Sequence, residues 1–191
     1  MADAGRVVAG TARGIRLEAA PEGTRALTDR VKEALFAALE AAGALRGPFL
    51  DLFAGSGAAG IEALSRGASA ATFIEKEGKV CQVIGENLRR AHLEMNGHVV
   101  RADVVSHLMG GVPAERTPFA AAVIDPPYGD VIIERTLELL GDAERRWLAD
   151  DALVVAKHFW RDDPPERSGN LLRTRQRRFG ETVLSFYTRQ P

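Results

Sequence analysis

The chain has 191 residues, 46% hydrophobic and 27% charged, which is long enough to bury a sizeable core and too apolar for a disordered segment. A net charge of −1 and a pI of about 6.4 argue against a nucleic-acid binder driven by overall charge. No apolar run approaches the roughly 18–20 residues of a membrane span, no secretory pattern opens the chain, and the single cysteine, Cys81, excludes an internal disulfide framework; a cytoplasmic protein with no membrane partner is expected.

In chain order, residues 6–9 and 15–18 predict two short strands around Gly10 and Gly14, a hairpin appendage within residues 1–25. A helix begins near Thr28. Thr28 suits the N-cap, Asp29 suits the positive end of the helix dipole, and Val31, Ala34, Leu35, Ala38 and Leu39 form one apolar face. After Gly47-Pro48 strands and helices alternate: strands over 49–53, 71–75, 98–102, 119–124 and 152–156, and helices over 58–66, 78–91 and 130–140. On the 78–91 helix, Val80, Cys81, Ile84, Leu88 and Ala91 share a face, with Cys81 read as a small core residue. Residues 161–170 read as a polar loop, and 171–179 and 182–188 as two strands around Gly180, antiparallel to each other. The pattern predicts a single α/β domain over 1–191: a doubly wound, mainly parallel sheet of seven strands with an antiparallel edge hairpin, plus the small N-terminal hairpin.

Two motifs carry chemistry. The first, Asp51-Leu52-Phe53-Ala54-Gly55-Ser56-Gly57, follows the first parallel strand. Its glycines let the backbone turn sharply and lie close to a ligand, at the carboxyl end where open α/β sheets bind ligands. Glu75 ends the next strand, 75 − 57 = 18 positions on, where a carboxylate can accept from both ribose hydroxyls of a nucleoside; Lys76 follows it. Asp51 can approach the ammonium of a methionine moiety. Asp103, after the third strand, can accept from an adenine amino group, cap the following helix, or do both. Gly55 to Gly60 also satisfies G-x-G-x-x-G, so a nicotinamide-dinucleotide oxidoreductase remains an alternative.

The second motif is Asp125-Pro126-Pro127-Tyr128, at the end of the very apolar strand 119–124. Two prolines stiffen the turn and remove two donors, leaving the Asp125 carboxylate and the Pro126 carbonyl to accept from an incoming NH₂, with Tyr128 as a stacking surface. N-methylation of a base needs this. The exocyclic amine is a poor nucleophile, and two acceptors aim its lone pair at an activated methyl carbon, so positioning supplies most of the catalysis. Arginines cluster at Arg173, Arg175, Arg177 and Arg178 and are scattered at Arg13, Arg16, Arg25 and Arg30, candidates for phosphate contacts. Trp147 and Trp160 are read as core residues that could otherwise bracket a cleft. The four histidines and Cys81 show no metal-ligand spacing, and no metal is expected.

With these residues in view, the chain resembles the RsmD family of bacterial small-subunit ribosomal RNA guanine-N2 methyltransferases. Phe53 to Gly57 and Asp125 to Tyr128 look like the motifs of amino methyltransferases in general. Four further stretches resemble RsmD: Arg6-Val7-Val8-Ala9-Gly10 with Arg13-Gly14 and Leu17; Thr28 to Phe36; residues 50–67; and Arg178-Phe179-Gly180-Glu181-Thr182. The resemblance implies a Rossmann-like class I fold, S-adenosyl-L-methionine bound by Asp51, Phe53, Ala54, Gly55, Ser56, Gly57, Glu75, Lys76, Asp103 and Asp125, and catalysis by Asp125, Pro126, Pro127 and Tyr128. It implies methylation of guanine N2 in 16S ribosomal RNA or an assembling small subunit, by a monomer. RNA contacts fall to the N-terminal hairpin and to Arg13, Arg16, Arg25, Thr28, Arg30, Arg175, Arg177 and Arg178. Adenine-N6 methylation of DNA or RNA uses the same tetrapeptide and is the nearest alternative; a non-catalytic RNA-binding assembly factor is another. Two departures stand out. Ala26-Leu27 precedes Thr28 where the family shows Arg-Pro-Thr, and the strand ending Val155-Ala156-Lys157-His158 carries lysine where an acid is common.

Overall fold

The computed structural model describes residues 3–20, 28–112, 117–126 and 132–190. Strands β1 (Asp3–Arg6) and β2 (Arg16–Glu18) form the antiparallel N-terminal hairpin. The first strand lies earlier than its apolar residues predict. Past Val7 the Val8 and Ala9 N–H groups donate to the Glu62 carboxylate, at 2.7 and 3.0 Å, rather than across the hairpin. Helix α1 (Asp29–Ala41) starts at Thr28, whose Oγ1 accepts from the Val31 N–H, and buries the predicted face together with Lys32 and Phe36.

The alternating part then runs β3 (Phe49–Leu52), α2 (Ala58–Ser65), β4 (Ala71–Glu75), α3 (Gly78–Arg90), β5 (Gly97–Arg101), α4 (Val104–Met109), β6 (Phe119–Ile124), α5 (Ile132–Gly141) and β7 (Leu148–Phe159). Three strands close the chain: β8 (Arg167–Ser168), β9 (Leu171–Phe179) and β10 (Thr182–Arg189). The sheet order is β5-β4-β3-β6-β7-β10-β9-β8, parallel from β5 to β7, with β10 antiparallel to both β7 and β9. The sheet has eight strands where seven were expected, because two residues of the polar loop pair with Leu171 and Leu172. Strand β7 also runs well past its predicted 152–156, since β10 pairs along it as far as Phe159.

Chain order reverses between β3 and β6, which opens a crevice at their carboxyl ends. The strands alternate their side chains between two cores. Phe49, Phe73, Val123 and Val155 pack under α1, α2 and α3, and Leu50, Ile124 and Ala156 pack under α4 and α5. By that alternation Asp51, Asp125 and Lys157 project to the α1–α3 side of three adjacent strands. Trp147 belongs to the second core, stacked on Phe119 and donating to the Leu108 carbonyl at 2.8 Å. The expectation for Cys81 is corrected. It and Val80 are only half-buried, because α3 turns Ile84, Asn87 and Leu88 inward instead.

Buried polar groups bind the N-terminal hairpin to the body. Ser65 Oγ donates to the Ala9 carbonyl at 2.6 Å and accepts from the Ala12 N–H at 2.9 Å, and Lys32 donates to the Arg6 carbonyl at 2.9 Å. Asn87 accepts from the Glu18 N–H and donates to the carbonyls of Glu18 and Ser56. One amide thereby ties the hairpin to the glycine loop. At Gly10 a Cβ would lie 1.8 Å from the Ser65 carbonyl oxygen, so the hairpin backbone fits against α2 only without a side chain there.

Candidate active site

The loop after β3 curls through three left-handed residues, Phe53, Gly55 and Gly57, with φ of 61°, 53° and 78°. Glycine adopts this conformation freely, but at Phe53 it costs on the order of 1–3 kcal/mol. The Phe53 ring packs on the second core, and the Ala54 N–H bonds to the Ile74 carbonyl at 3.1 Å, which holds the strained turn. Gly60 serves packing instead. A Cβ there would stand 2.2 Å from the Phe73 ring, so this glycine brings α2 close to β4. Helix-on-sheet packing thus accounts for the third glycine of the G-x-G-x-x-G match.

Acidic side chains surround the loop. Asp51 is buried, and its Oδ2 accepts from the Gly60 N–H at 2.8 Å. Burial pushes its carboxyl up to about 8, against the lowering effect of that bond and with repulsion from Asp125 and Glu75 adding to the rise. Glu75 accepts from the Gly55 N–H at 3.1 Å and the Glu77 N–H at 3.0 Å, so its first role is to fix the loop. Among the described residues neither Asp51 nor Glu75 forms an ion pair. Asp103 caps α4, accepting from the Ser106 N–H at 2.9 Å, and stays exposed. Lys76 is exposed, and its carbonyl accepts from Arg101. A ligand with positive charge would relieve the repulsion among these carboxylates.

Asp125 follows β6 and is anchored by its N–H to the Leu52 carbonyl at 3.3 Å, which sets it beside the start of the glycine loop. Pro126 is buried next to it; Pro127 and Tyr128 lie outside the described residues. The side chain of Asp125 keeps 21% of its surface exposed, and its Oδ1 accepts a hydrogen bond from the Lys157 ammonium on β7. Burial raises the Asp125 carboxyl, and the charge and hydrogen bond of Lys157 lower it. Lys157 therefore favours the ionised form and occupies one oxygen, leaving Oδ2 for a substrate donor. In the sequence Lys157 showed only as a departure from a family pattern. Its partner is 32 positions away, and only the parallel β6–β7 register, which sets Ile124 beside Ala156, brings the two together.

The arginines separate into two groups. Arg13 sits on the hairpin turn, beside Ser65 at the C-terminal end of α2, and so at the opposite edge of the sheet from Asp125. Arg16 is exposed on β2, and Arg25 lies outside the described residues. Thr28 and Arg30 open α1 over the end of β9, where the Arg30 guanidinium is 5.8 Å from the Phe179 ring centre. Arg175, Arg177 and Arg178 are exposed along β9.

A family model described as Conserved hypothetical protein 95 matches residues 5–188. Ribosomal RNA small subunit methyltransferase D of Escherichia coli is 36% identical, covering 97% of this chain and 90% of that protein. The solved structure of yhhF from Escherichia coli, described as a candidate methyltransferase, superposes with a TM-score of 0.84 at 35% identity over 97% of both chains. An RNA methyltransferase from Salinibacter ruber, solved in complex with S-adenosyl-L-homocysteine, shares the fold with a TM-score of 0.61 at 14% identity, over 86% of this chain and 94% of its own. The expected class I methyltransferase architecture is present, and over nearly its whole length the chain belongs to the RsmD family of ribosomal RNA small subunit methyltransferases.

Proposed function

We propose that this protein transfers a methyl group from S-adenosyl-L-methionine to N2 of a guanine in 16S ribosomal RNA. The observation that carries the reading is the place of Asp125. It ends β6 at the reversal of strand order, next to a strained glycine loop ringed by carboxylates, in a chain of the RsmD family. The donor set fits the cofactor: Glu75 offers ribose acceptors, Asp103 an acceptor for the adenine amine, and Asp51 with its neighbours a negative field for a cation. S-adenosylmethionine, when bound, supplies a methyl group on a sulfonium that needs no further activation.

The protein's work is then orientation. Oδ2 of Asp125 and the Pro126 carbonyl accept the two amine hydrogens and direct the nitrogen lone pair at the methyl carbon. Such alignment supplies roughly 7–11 kcal/mol in well-oriented reactions. The C–N bond forms as the C–S bond breaks, and the surplus amine proton leaves through Asp125 or solvent. Lys157 favours the ionised carboxyl of Asp125 against the burial that raises it, and in that form the free oxygen accepts from the amine. Tyr128 stacks the flipped base, and the RNA contacts fall to Arg16, Thr28, Arg30, Arg175, Arg177 and Arg178, with Arg13 serving only RNA that reaches the opposite edge.

Purified protein, radiolabelled cofactor, and either small-subunit RNA, native small subunits or DNA, followed by nucleoside analysis, test the reading. N2-methylguanosine is expected from the ribosomal substrates. N6-methyladenosine, or no transfer to any substrate, overturns it.

A further inference from the structure

Exposed positive charge on the substrate side sits on aromatic rings: Arg175 lies 4.3 Å from the buried Phe186 ring, and two further rings each carry a pair of arginines. At the β7 end, Arg161 and Arg178 place their guanidinium carbons 4.8 and 4.5 Å from the centre of the Trp160 ring. Across the hairpin, Arg30 and Arg177 lie 5.8 and 5.4 Å from the Phe179 ring centre. All four arginines are exposed, and Trp160 remains 38% exposed, unusual for so large an apolar side chain. Among the described residues none of the four forms an ion pair. Arg173, on the same strand, shows the structural alternative: it is 11% exposed and bound to Asp163 and Glu166.

The register of the sheet relates the Phe179 stack to the reacting centre, while Trp160 and Arg178 fall on the other face and meet that stack only at the strand ends. Lys157 on β7 stands opposite Leu184 on β10, and Leu184 stands opposite Arg177 on β9. With Asp125 bound to Lys157, the four residues form a row on one face, crossing three strand spacings, about 15 Å at roughly 4.8 Å each. The first turn of α1 covers the far end of that row. Lys157 and Leu184 are buried, so the row sets only the distance between its ends, that of a few nucleotides, and a strand crosses it along the exposed ends of β7, β10 and β9.

We propose that the exposed edge at the ends of β7 and β9, with Trp160 on one face and Phe179 on the other, is a binding track for single-stranded RNA flanking the methylated base, with guanidinium groups on the phosphates and the exposed aromatic and arginine planes against splayed bases. This rests on the ribosomal RNA reading above and extends it to nucleotides beyond the target. Arginine suits this role because its planar fork grips phosphate and stacks on rings, and its seat on an aromatic ring fixes it before the RNA arrives. Exposed rings favour unpaired nucleotides, whose bases are free to stack. The track is short: the acids Asp162 and Glu181 adjoin Arg161 and Gly180 in the chain, so the charge is gathered in the stacks and not spread along the whole edge.

The test measures equilibrium binding of a small-subunit ribosomal RNA transcript from 50 to 200 mM salt, alongside methyl transfer. The Arg177→Ala/Arg178→Ala double variant should lose affinity and flatten the plot of log affinity against log salt by about 1.4, roughly 0.7 per phosphate contact on a single strand. Trp160→Ala should weaken binding roughly 5- to 100-fold at unchanged slope, as loss of a stacking platform predicts. Both should raise KM for RNA while S-adenosylhomocysteine affinity and thermal stability stay as they were, which excludes misfolding. Unchanged RNA affinity and slope in both variants would overturn the track while leaving methyl transfer by the unaltered protein intact. Failure of the unaltered protein to methylate any ribosomal substrate would instead strike the underlying reading.

Discussion

The crevice edge of the sheet differs in charge on the two sides of β6. On the β3–β4 side the groups lining the loop are carboxylates, Asp51 and Glu75, whose hydrogen bonds go to backbone N–H groups rather than to cations. On the β7–β9 side the exposed groups are arginines seated on rings, preceded by Lys157. Asp125 stands at the boundary and is the one carboxylate of the three with a cationic partner. A net charge of −1 therefore hides a division that suits two ligands of opposite charge meeting at Asp125, a cationic methyl donor and a polyanionic RNA. Summed charge was a poor guide to partners here because it discards position.

The largest effect is expected at the boundary. Asp125→Ala removes the proposed acceptor for the amine and should lower kcat by about 10²–10³-fold. Cofactor and RNA affinity should both persist, since neither flank is touched; calorimetry and filter binding check this, and loss of either affinity would mean that Asp125 belongs to a flank. Lys157→Met should come next. Losing a hydrogen bond to a charged group is worth about 1.5–3 kcal/mol, or roughly 10- to 100-fold in kcat. Without the ammonium, burial alone acts on Asp125 and raises its carboxyl further. On the proposed role of Asp125 the rate should rise with pH as its carboxyl ionises, and the acidic limb of the pH–rate profile should move to higher pH in the variant. A lower rate with an unmoved limb would make Lys157 a packing residue only.

The glycine loop, and the place of Asp125 and Pro126 at the end of β6, were legible in the sequence because each is contiguous and follows from local backbone rules; Pro127 and Tyr128 lie outside the described residues. The doubly wound sheet was legible from its alternating apolar segments. What was hidden depends on pairing at a distance. Lys157 acquires its role only from the β6–β7 register, and Trp160 joins Arg178 only because β10 lies between β7 and β9. Glu62, Ser65 and Asn87 are polar side chains on helices α2 and α3, yet all three are buried and fasten the N-terminal hairpin. They satisfy backbone groups that the hairpin cannot satisfy itself, and a residue-by-residue polarity pattern carries no sign of that. Arg13 of the hairpin turn was read alongside the arginines of β9, but the fold sends the turn to the opposite edge.

The acidic flank should show its charge through pH. Folding holds a proton on Asp51 to about pH 8, well above the ordinary 3.8. Two consequences follow in sign. Without ligand, stability should fall as pH rises from about 4 to 8, because the unfolded chain gives up that proton and the folded one keeps it. A cationic cofactor binds the ionised form, so its affinity should rise between pH 5.5 and 7, by at most tenfold per unit and about 30-fold in all. The cofactor's own α-amino group stays largely protonated over that range. Asp51→Asn should flatten both dependences, as read by thermal unfolding and calorimetric titration. A cofactor affinity independent of pH in the unaltered protein would mean that Asp51 serves the loop alone.

The smallest expected effect tests whether location, rather than charge as such, governs RNA binding. Arg135 lies on α5, exposed and paired with Glu138 at 2.7 Å, on the helical layer that covers the other core. An exposed pair of this kind contributes about 0.2–1 kcal/mol, so Arg135→Ala should leave thermal stability nearly unchanged. It removes as much formal charge as Arg178→Ala. If the division across β6 governs binding, RNA affinity at 100 mM salt should be unaltered in the first and weakened in the second. Equal losses in both would mean that RNA senses only the total charge of the protein, and the separation of acidic and basic flanks would then have no part in recognition.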